Sequence, residues 1–111
     1  MLLSISQFSY AAHPEQEINH LIEFVAKSDA VFIRNGTEHS SQDAAEHLAM
    51  KYRKATRYAK TAEKFIENLA SKSSWSGKPY KVRFSDGTLI NAKDWLSNEL
   101  ADYRRNQHRQ Q

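Results

Sequence analysis

The chain has 111 residues, 40% of them apolar, which suits a single domain and excludes a multidomain enzyme. It contains no cysteine, so disulfide bonds, thiolate zinc sites and thiol nucleophiles are excluded as well. The formal net charge of +3 is unevenly distributed, because residues 1–50 hold two basic and seven acidic side chains whereas residues 51–111 hold fourteen basic and six acidic ones.

The first twelve residues differ from the rest of the chain, since they carry no charge and end in small side chains. Ser9-Tyr10-Ala11 fits the small-x-small pattern of a secretory cleavage site, although the basic start and the long apolar segment of a complete signal are missing. We therefore expect residues 1–12 to be the remnant of a secretory signal that starts upstream; the alternative is a disordered tail. No segment approaches the roughly 20 apolar residues of a membrane span, so none is predicted.

An amphipathic helix is predicted over residues 14–27, where Pro14 suits the first helical turn and apolar side chains recur at helical spacing. Those apolar positions are Ile18, Leu21, Ile22 and Val25. A β-hairpin is predicted next, because the β-prone residues 30–34 and 37–39 flank Asn35-Gly36. Both residues of that pair readily take the positive φ angles of a tight hairpin turn.

Two further helices are predicted, over about residues 41–56 and 61–73. Ser40 followed by Asp43 is typical of a helix N-terminus, and no glycine or proline interrupts the chain up to residue 76. One long helix is therefore the alternative. Thr61 and the acidic residue that follows favour a break, because together they resemble a second N-cap and first turn.

A polar loop with one large aromatic side chain, Trp75, is predicted over residues 71–79. Residues 80–84 and 88–90 then predict a second hairpin, and Asn91 begins a last helix. The chain becomes polar and glutamine-rich near its end, so residues 105–111 are predicted to be a disordered tail. One domain over residues 13–104 is therefore expected.

The order helix, hairpin, two helices, hairpin, helix predicts an α+β fold. Isolated hairpins are marginally stable in water, so the two should join in one small antiparallel sheet packed on helices. The two hairpin-to-helix junctions share the pattern Gly-Thr-x-x-Ser/Asn-x-x-Asp, starting at Gly36 and at Gly87. The few residue types that suit such junctions explain this repeat; a true duplication is the alternative.

Catalytic and metal-binding patterns are weak. Glu17-x-x-His20 places a carboxylate and an imidazole on one helix face, but a di-iron site needs two such motifs and two more carboxylates. An exposed ion pair on the helix is therefore expected for Glu17 and His20. The same expectation holds for Asp43 and His47, so no metal and no cofactor is predicted. The serines of the polar loop match no nucleophile motif, and enzymatic activity is not indicated.

Two groups of residues are candidates for binding a ligand. Projected as a continuous helix, four basic residues form a stripe opposite the apolar face, which would suit an anionic ligand, an acidic protein or a phosphate backbone. This basic stripe consists of Arg53, Arg57, Lys60 and Lys64. The polar loop adds Lys72, Ser74, Trp75, Lys78 and Tyr80. The alternatives are a solvated helix face for the stripe, a core-covering role for Trp75, and self-association between the acidic and basic halves.

Several motifs together resemble a family of small Gram-negative bacterial proteins that is catalogued as a domain of unknown function. They are VFIRNGTE at residues 31–38, TAEKFI at 61–66 and ASKSSWSGKPY at 70–80. The resemblance covers about residues 17–103. It implies export, because members look like proteins with an N-terminal signal, and it implies no activity, cofactor or catalytic residue.

The leading hypothesis is therefore an exported, non-catalytic periplasmic binding or accessory domain. A cytosolic protein that binds nucleic acid through the basic stripe is the alternative, and a small hydrolase of the cell envelope is the third reading. The location would be periplasmic or secreted if the upstream signal exists, and cytoplasmic otherwise.

Overall fold

Residues 13–109 are described by the structure, which is a computed structural model. The predicted signal remnant and the last two residues of the predicted tail lie outside the described residues. The elements are α1 (Pro14–Lys27), β1 (Val31–Arg34), β2 (Thr37–His39), α2 (Ser41–Lys54), a 3₁₀ turn (Thr56–Tyr58), α3 (Ala62–Phe65) continued by a π turn (Ile66–Ala70), β3 (Lys81–Arg83), β4 (Leu89–Asn91) and α4 (Ala92–Arg109).

The predicted first helix and first hairpin are confirmed. Pro14 occupies the first turn of α1, which buries three of the four predicted apolar positions. In the hairpin turn, Asn35 and Gly36 have φ angles of 53° and 79°. Positive φ at both residues is what a two-residue turn between right-twisted strands requires. The turn therefore fixes where β1 ends and where Arg34 lies.

The two hairpins form one antiparallel sheet of four strands in the order β2-β1-β3-β4. The first strands of the two hairpins pair at the centre, with Phe32 opposite Val82. Both of these side chains are buried against the helices. The predicted α+β class and the joining of both hairpins in one sheet are confirmed.

The predicted break between the second and third helices is also confirmed. The Thr56 hydroxyl donates to the Tyr52 carbonyl oxygen at 2.7 Å, and the chain leaves the α-helix at Ala55, where φ is −132°. A hydroxyl that bonds to the preceding turn competes with the regular helix ladder. Thr61 then caps α3 by accepting from the Lys64 amide at 3.0 Å. The helical segment ends at Ala70, three residues earlier than predicted.

This break contradicts the single helix face that the basic stripe requires. Arg53 lies in α2, Arg57 in the 3₁₀ turn, Lys60 in the bend that follows and Lys64 in α3. All four side chains are exposed, but they belong to four successive pieces of backbone. The prediction placed the four residues on one face because it assumed a rotation of 100° per residue throughout, whereas the helix is interrupted at residues 55–61.

Helix α4 is longer than predicted, since residues 105–109 of the predicted disordered tail are helical. Two contacts with α1 anchor the helix directly before these residues. The ring of Tyr103 stacks on His20 with centroids 4.0 Å apart, and Arg104 donates to both carboxylate oxygens of Glu17 at 2.7 and 2.8 Å. These contacts join residues far apart in the sequence, which is why the local composition did not reveal them.

The pair Glu17 and His20 is held by α4 as well. Glu17 is buried rather than exposed and bonds to Arg104, whereas His20 lies 2.6 Å from a Glu99 carboxylate oxygen. The sequence interpretation of an exposed ion pair on α1 is therefore wrong. Each member instead fixes α4 against α1, which explains the spacing structurally.

Candidate anion-binding site

A pocket of about 300 Å³ lies where the polar loop meets the end of β1 and one face of α2. Its lining comes from four separate parts of the chain. The lining residues are Arg34, Asn35, His47, Lys51, Ser73, Ser74, Trp75 and Tyr80. We call this the cationic pocket.

Regular elements position the basic side chains of the cationic pocket. Arg34 is the last residue of β1, directly before the hairpin turn. His47 and Lys51 are four residues apart on α2, which places them on one face of the helix. Tyr80 precedes β3, where its amide donates to the Ser71 oxygen at 3.0 Å. The site is thus mounted on a sheet and a helix.

The polar loop is fastened to the first hairpin by Ser73, which is only 5% exposed. Its hydroxyl oxygen accepts from the amides of Trp75 and Ser76 at 3.2 and 3.3 Å and from Asn35 Nδ2 at 3.3 Å. The Ser76 hydroxyl donates to the Asn35 side-chain oxygen. This arrangement leaves Trp75 90% exposed, so the alternative in which it covers the core is wrong.

Two cations, Arg34 and Lys51, share the cationic pocket, and neither has an acidic partner in the described part of the chain. Arg34 Nη1 lies 2.9 Å from His47 Nε2, and Lys51 Nζ donates to the Tyr80 hydroxyl at 3.1 Å. No ion pair joins either cation to a carboxylate within residues 13–109. By contrast, Arg83 and Arg104 pair with glutamates at 2.9 Å or less.

The pKa values of the basic side chains in the cationic pocket reflect their burial and their closeness to one another. Burial, and then the charge of Arg34, lowers the pKa of Lys51. Burial likewise lowers the pKa of His47, with further contributions from Arg34, Lys51 and His39. His47 is therefore neutral at pH 7, and its Nε2 accepts from the Arg34 guanidinium, which can only donate. The pocket presents two fixed positive charges and one imidazole that an anion would help to protonate.

A second, larger cleft of about 500 Å³ adjoins the cationic pocket, and Arg34, His47 and Tyr80 line both. We call it the apolar cleft. Its apolar lining is Phe32, Ile33, Ala44, Leu48, Met50 and Ala70. Its polar lining adds Asp43, Glu46, Arg53 and His39. The Nε2 atom of His39 is buried and has no hydrogen-bond partner among residues 13–109.

The structure brings together some of the predicted binding residues and separates others. Ser74, Trp75 and Tyr80 line the cationic pocket, and Arg53 lines the apolar cleft. The other predicted residues line neither of these two clefts; they are Arg57, Lys60, Lys64, Lys72 and Lys78. Lys64 instead lies 3.8 Å from Glu67, and Arg57 lies over the Tyr58 ring at 4.7 Å.

Arg34, His47 and Lys51 were missed as site residues by the sequence analysis. The spacing of His47 and Lys51 indicates a shared helix face, but nothing local places Arg34 opposite that face. The contact depends on how β1 packs against α2. Only the tertiary structure supplies that information.

Other kinds of site have little support in the described part of the chain. Residues 13–109 contain no group of three or more histidine and acidic side chains that could hold a metal ion. None of the helices described is long and apolar enough to cross a membrane.

The fold and the two clefts define a small α+β domain that presents a cationic pocket beside an apolar cleft. The chain belongs to the family of unknown function DUF5329, whose sequence profile matches residues 12–104. It is similar to the uncharacterised protein YfeK of Salmonella typhimurium, with 43% identity over 70 residues that cover 62% of this chain. The matched region spans 58% of that relative's length. No solved structure matches the chain.

Proposed function

We propose that this chain is a non-catalytic binding domain of the periplasm that takes an anionic ligand in the cationic pocket. One observation carries the proposal: Arg34 and Lys51 are partly buried in one pocket whose lining holds no carboxylate, and neither forms an ion pair within residues 13–109. The periplasmic location is supported by the small-x-small pattern at Ser9-Tyr10-Ala11 and by the resemblance of this chain to exported proteins.

Unbalanced buried charge destabilises a folded chain. Burial lowers the pKa of Lys51, and the charge of the neighbouring Arg34 lowers it further, so both desolvation and repulsion disfavour the charged pair. A carboxylate or phosphate group would relieve this repulsion and accept charge-assisted hydrogen bonds from both side chains. The exposed hydroxyl of Ser74 and the ring of Trp75 border the same space and offer further contacts.

Isothermal titration calorimetry with inorganic phosphate and with acetate tests this function. Each of Arg34→Gln and Lys51→Met should weaken binding about tenfold to a hundredfold, which corresponds to losing a hydrogen bond between charged groups. Arg57→Gln and Lys60→Met are matched controls, because they remove exposed cations that line neither cleft. Equal losses in the control variants, or no binding of either anion, would contradict the proposal.

Two further measurements separate the alternatives. Fractionation of cells that express the natural gene should recover the protein in the periplasm without Met1. Recovery from the cytosol with Met1 intact would contradict the proposed location. Binding to an oligonucleotide with a steep negative salt dependence that Arg57→Gln weakens would favour the nucleic-acid alternative instead.

A further inference from the structure

The apolar cleft and the cationic pocket are continuous, because Arg34, His47 and Tyr80 line both. The two volumes, about 500 and about 300 Å³, lie within or at the edge of the range of small-molecule sites. A ligand that filled only the cationic pocket would leave the larger cleft to water. A molecule with an anionic end and an apolar end would fill both spaces.

We propose that the ligand is a single-chain anionic amphiphile, with its carboxylate or phosphate head group in the cationic pocket and its aliphatic chain in the apolar cleft. The inference rests on the proposed function and names the chemical class of its ligand. The head group accepts hydrogen bonds from Arg34 and Lys51, while Tyr80 lies at the junction of the two spaces.

The lining of the apolar cleft supports an aliphatic occupant. Phe32 and Leu48 are 6% and 4% exposed, so they form a fixed apolar wall that belongs to the core. Met50 and Ile33 are partly exposed and contribute apolar surface that no other part of residues 13–109 fully covers. Methionine adapts its shape to varied apolar partners, which suits a flexible chain.

The charges around the apolar cleft give the ligand a direction. Asp43 and Glu46 are exposed carboxylates on α2 that line the apolar cleft but not the cationic pocket. Arg34 and Arg53 line the apolar cleft as well, so the charges of its lining balance, whereas the lining of the cationic pocket holds Arg34 and Lys51 and no carboxylate. An anionic head group is therefore favoured in the cationic pocket, beside Arg34 and Lys51, over the rest of the apolar cleft.

Calorimetric titration with linear carboxylates from acetate to octanoate, at constant ionic strength and below micelle formation, tests the inference. Affinity should rise about fourfold for each methylene that enters the apolar cleft, as burial of a methylene from water predicts. Octan-1-ol, which has the chain without the charge, should bind at least tenfold more weakly than octanoate.

A variant that fills the apolar cleft provides the second arm. Ala44 lines the cleft from α2 and is partly exposed, so Ala44→Leu adds volume there with a residue that favours helix. Ala49→Leu is the matched control on the same helix, because Ala49 is partly exposed and lines neither cleft. Ala44→Leu should weaken octanoate binding at least tenfold and leave the binding of acetate and inorganic phosphate unchanged.

The outcomes separate this inference from the function on which it rests. If phosphate and acetate bind but chain length and Ala44→Leu have no effect on affinity, the proposal of an amphiphilic ligand is contradicted and the proposed anion site is supported. If octan-1-ol binds as tightly as octanoate, the proposed binding of an anionic head group in the cationic pocket is contradicted. Tighter binding to phosphatidylglycerol vesicles than to octanoate would replace the single-chain ligand by a membrane surface. If no anion binds, both proposals fail.

Discussion

Replacing Arg104 tests how the C-terminal helix is held. Arg104 donates to the two oxygens of Glu17 at 2.7 and 2.8 Å and to those of Glu63 at 2.6 and 3.1 Å, so one guanidinium joins α1, α3 and α4. Arg104→Gln leaves the carboxylate of Glu17, only 10% exposed, without its partner. Glu63 is 60% exposed and can return to water.

The expected magnitude lies between two limits. Breaking a fully buried ion pair destabilises a protein by about 3–5 kcal/mol, whereas exposed pairs contribute about 1 kcal/mol or less. Glu17 is near the buried limit, but Arg104 is 43% exposed and water screens the pair. We therefore expect Arg104→Gln to lower the free energy of unfolding by about 2 kcal/mol, which lowers Tm by about 8 °C for a chain of this size.

Urea denaturation followed by circular dichroism measures this change. The midpoint should fall with an unchanged slope, because the surface exposed on unfolding stays the same. In a double-mutant cycle, Glu17→Gln should lose most of its own effect once Arg104 is replaced. Arg105→Gln is the matched control, since Asp102, which is exposed and lies one turn earlier, is the acidic residue that pairs with Arg105 in the described part of the chain. A loss below about 0.5 kcal/mol, or additive effects of the two substitutions, would refute the reasoning.

Three further predictions concern the hairpin turn and the cationic pocket. The pKa of His47 is lowered chiefly by burial, so the unfolded chain binds the proton more readily and the free energy of unfolding should fall as pH drops below about 6.5. His47→Gln should reduce this fall between pH 7 and 5 in urea titrations. A pH profile that the substitution leaves unchanged would contradict this prediction. Trp75→Ala should change the free energy of unfolding by less than about 0.5 kcal/mol, because the side chain is 90% exposed, yet weaken anion binding measured by calorimetry. Gly36→Ala should destabilise the chain by about 1 kcal/mol in thermal melts through its φ of 79° alone, since no atom of residues 13–109 lies within 4 Å of the added carbon. Gly36→Asn should destabilise it less, because asparagine tolerates this φ better than alanine.

Local sequence signals predicted most of the fold. Asn35-Gly36 specifies the first hairpin because both residues accept positive φ. Thr61 marks the start of α3 because its side chain caps the Lys64 amide. These interactions span four residues or fewer, so they can be predicted from the local sequence. The joining of the two hairpins followed from their marginal stability in isolation.

The candidate site could be predicted only in part. Ser74, Trp75 and Tyr80 belong to one segment of unusual composition, which the sequence displays directly. Arg34 and Lys51 meet only because β1 packs beside α2, and Arg104 finds Glu17 across 87 positions of sequence. The prediction that the basic stripe forms one face was wrong for a different reason. It assumed a regular helix through residues where a threonine hydroxyl and a 3₁₀ turn interrupt the helix.

The most direct test of the anion site is its location by NMR. Titration of the ¹⁵N-labelled protein with inorganic phosphate should shift the Arg34 side-chain Nε–H and the Trp75 indole N–H, and should raise the pKa of His47. Lys51→Met should reduce all three changes. Shifts of comparable size at Arg57, or shifts spread evenly over the exposed cations, would show a diffuse surface effect and contradict the site.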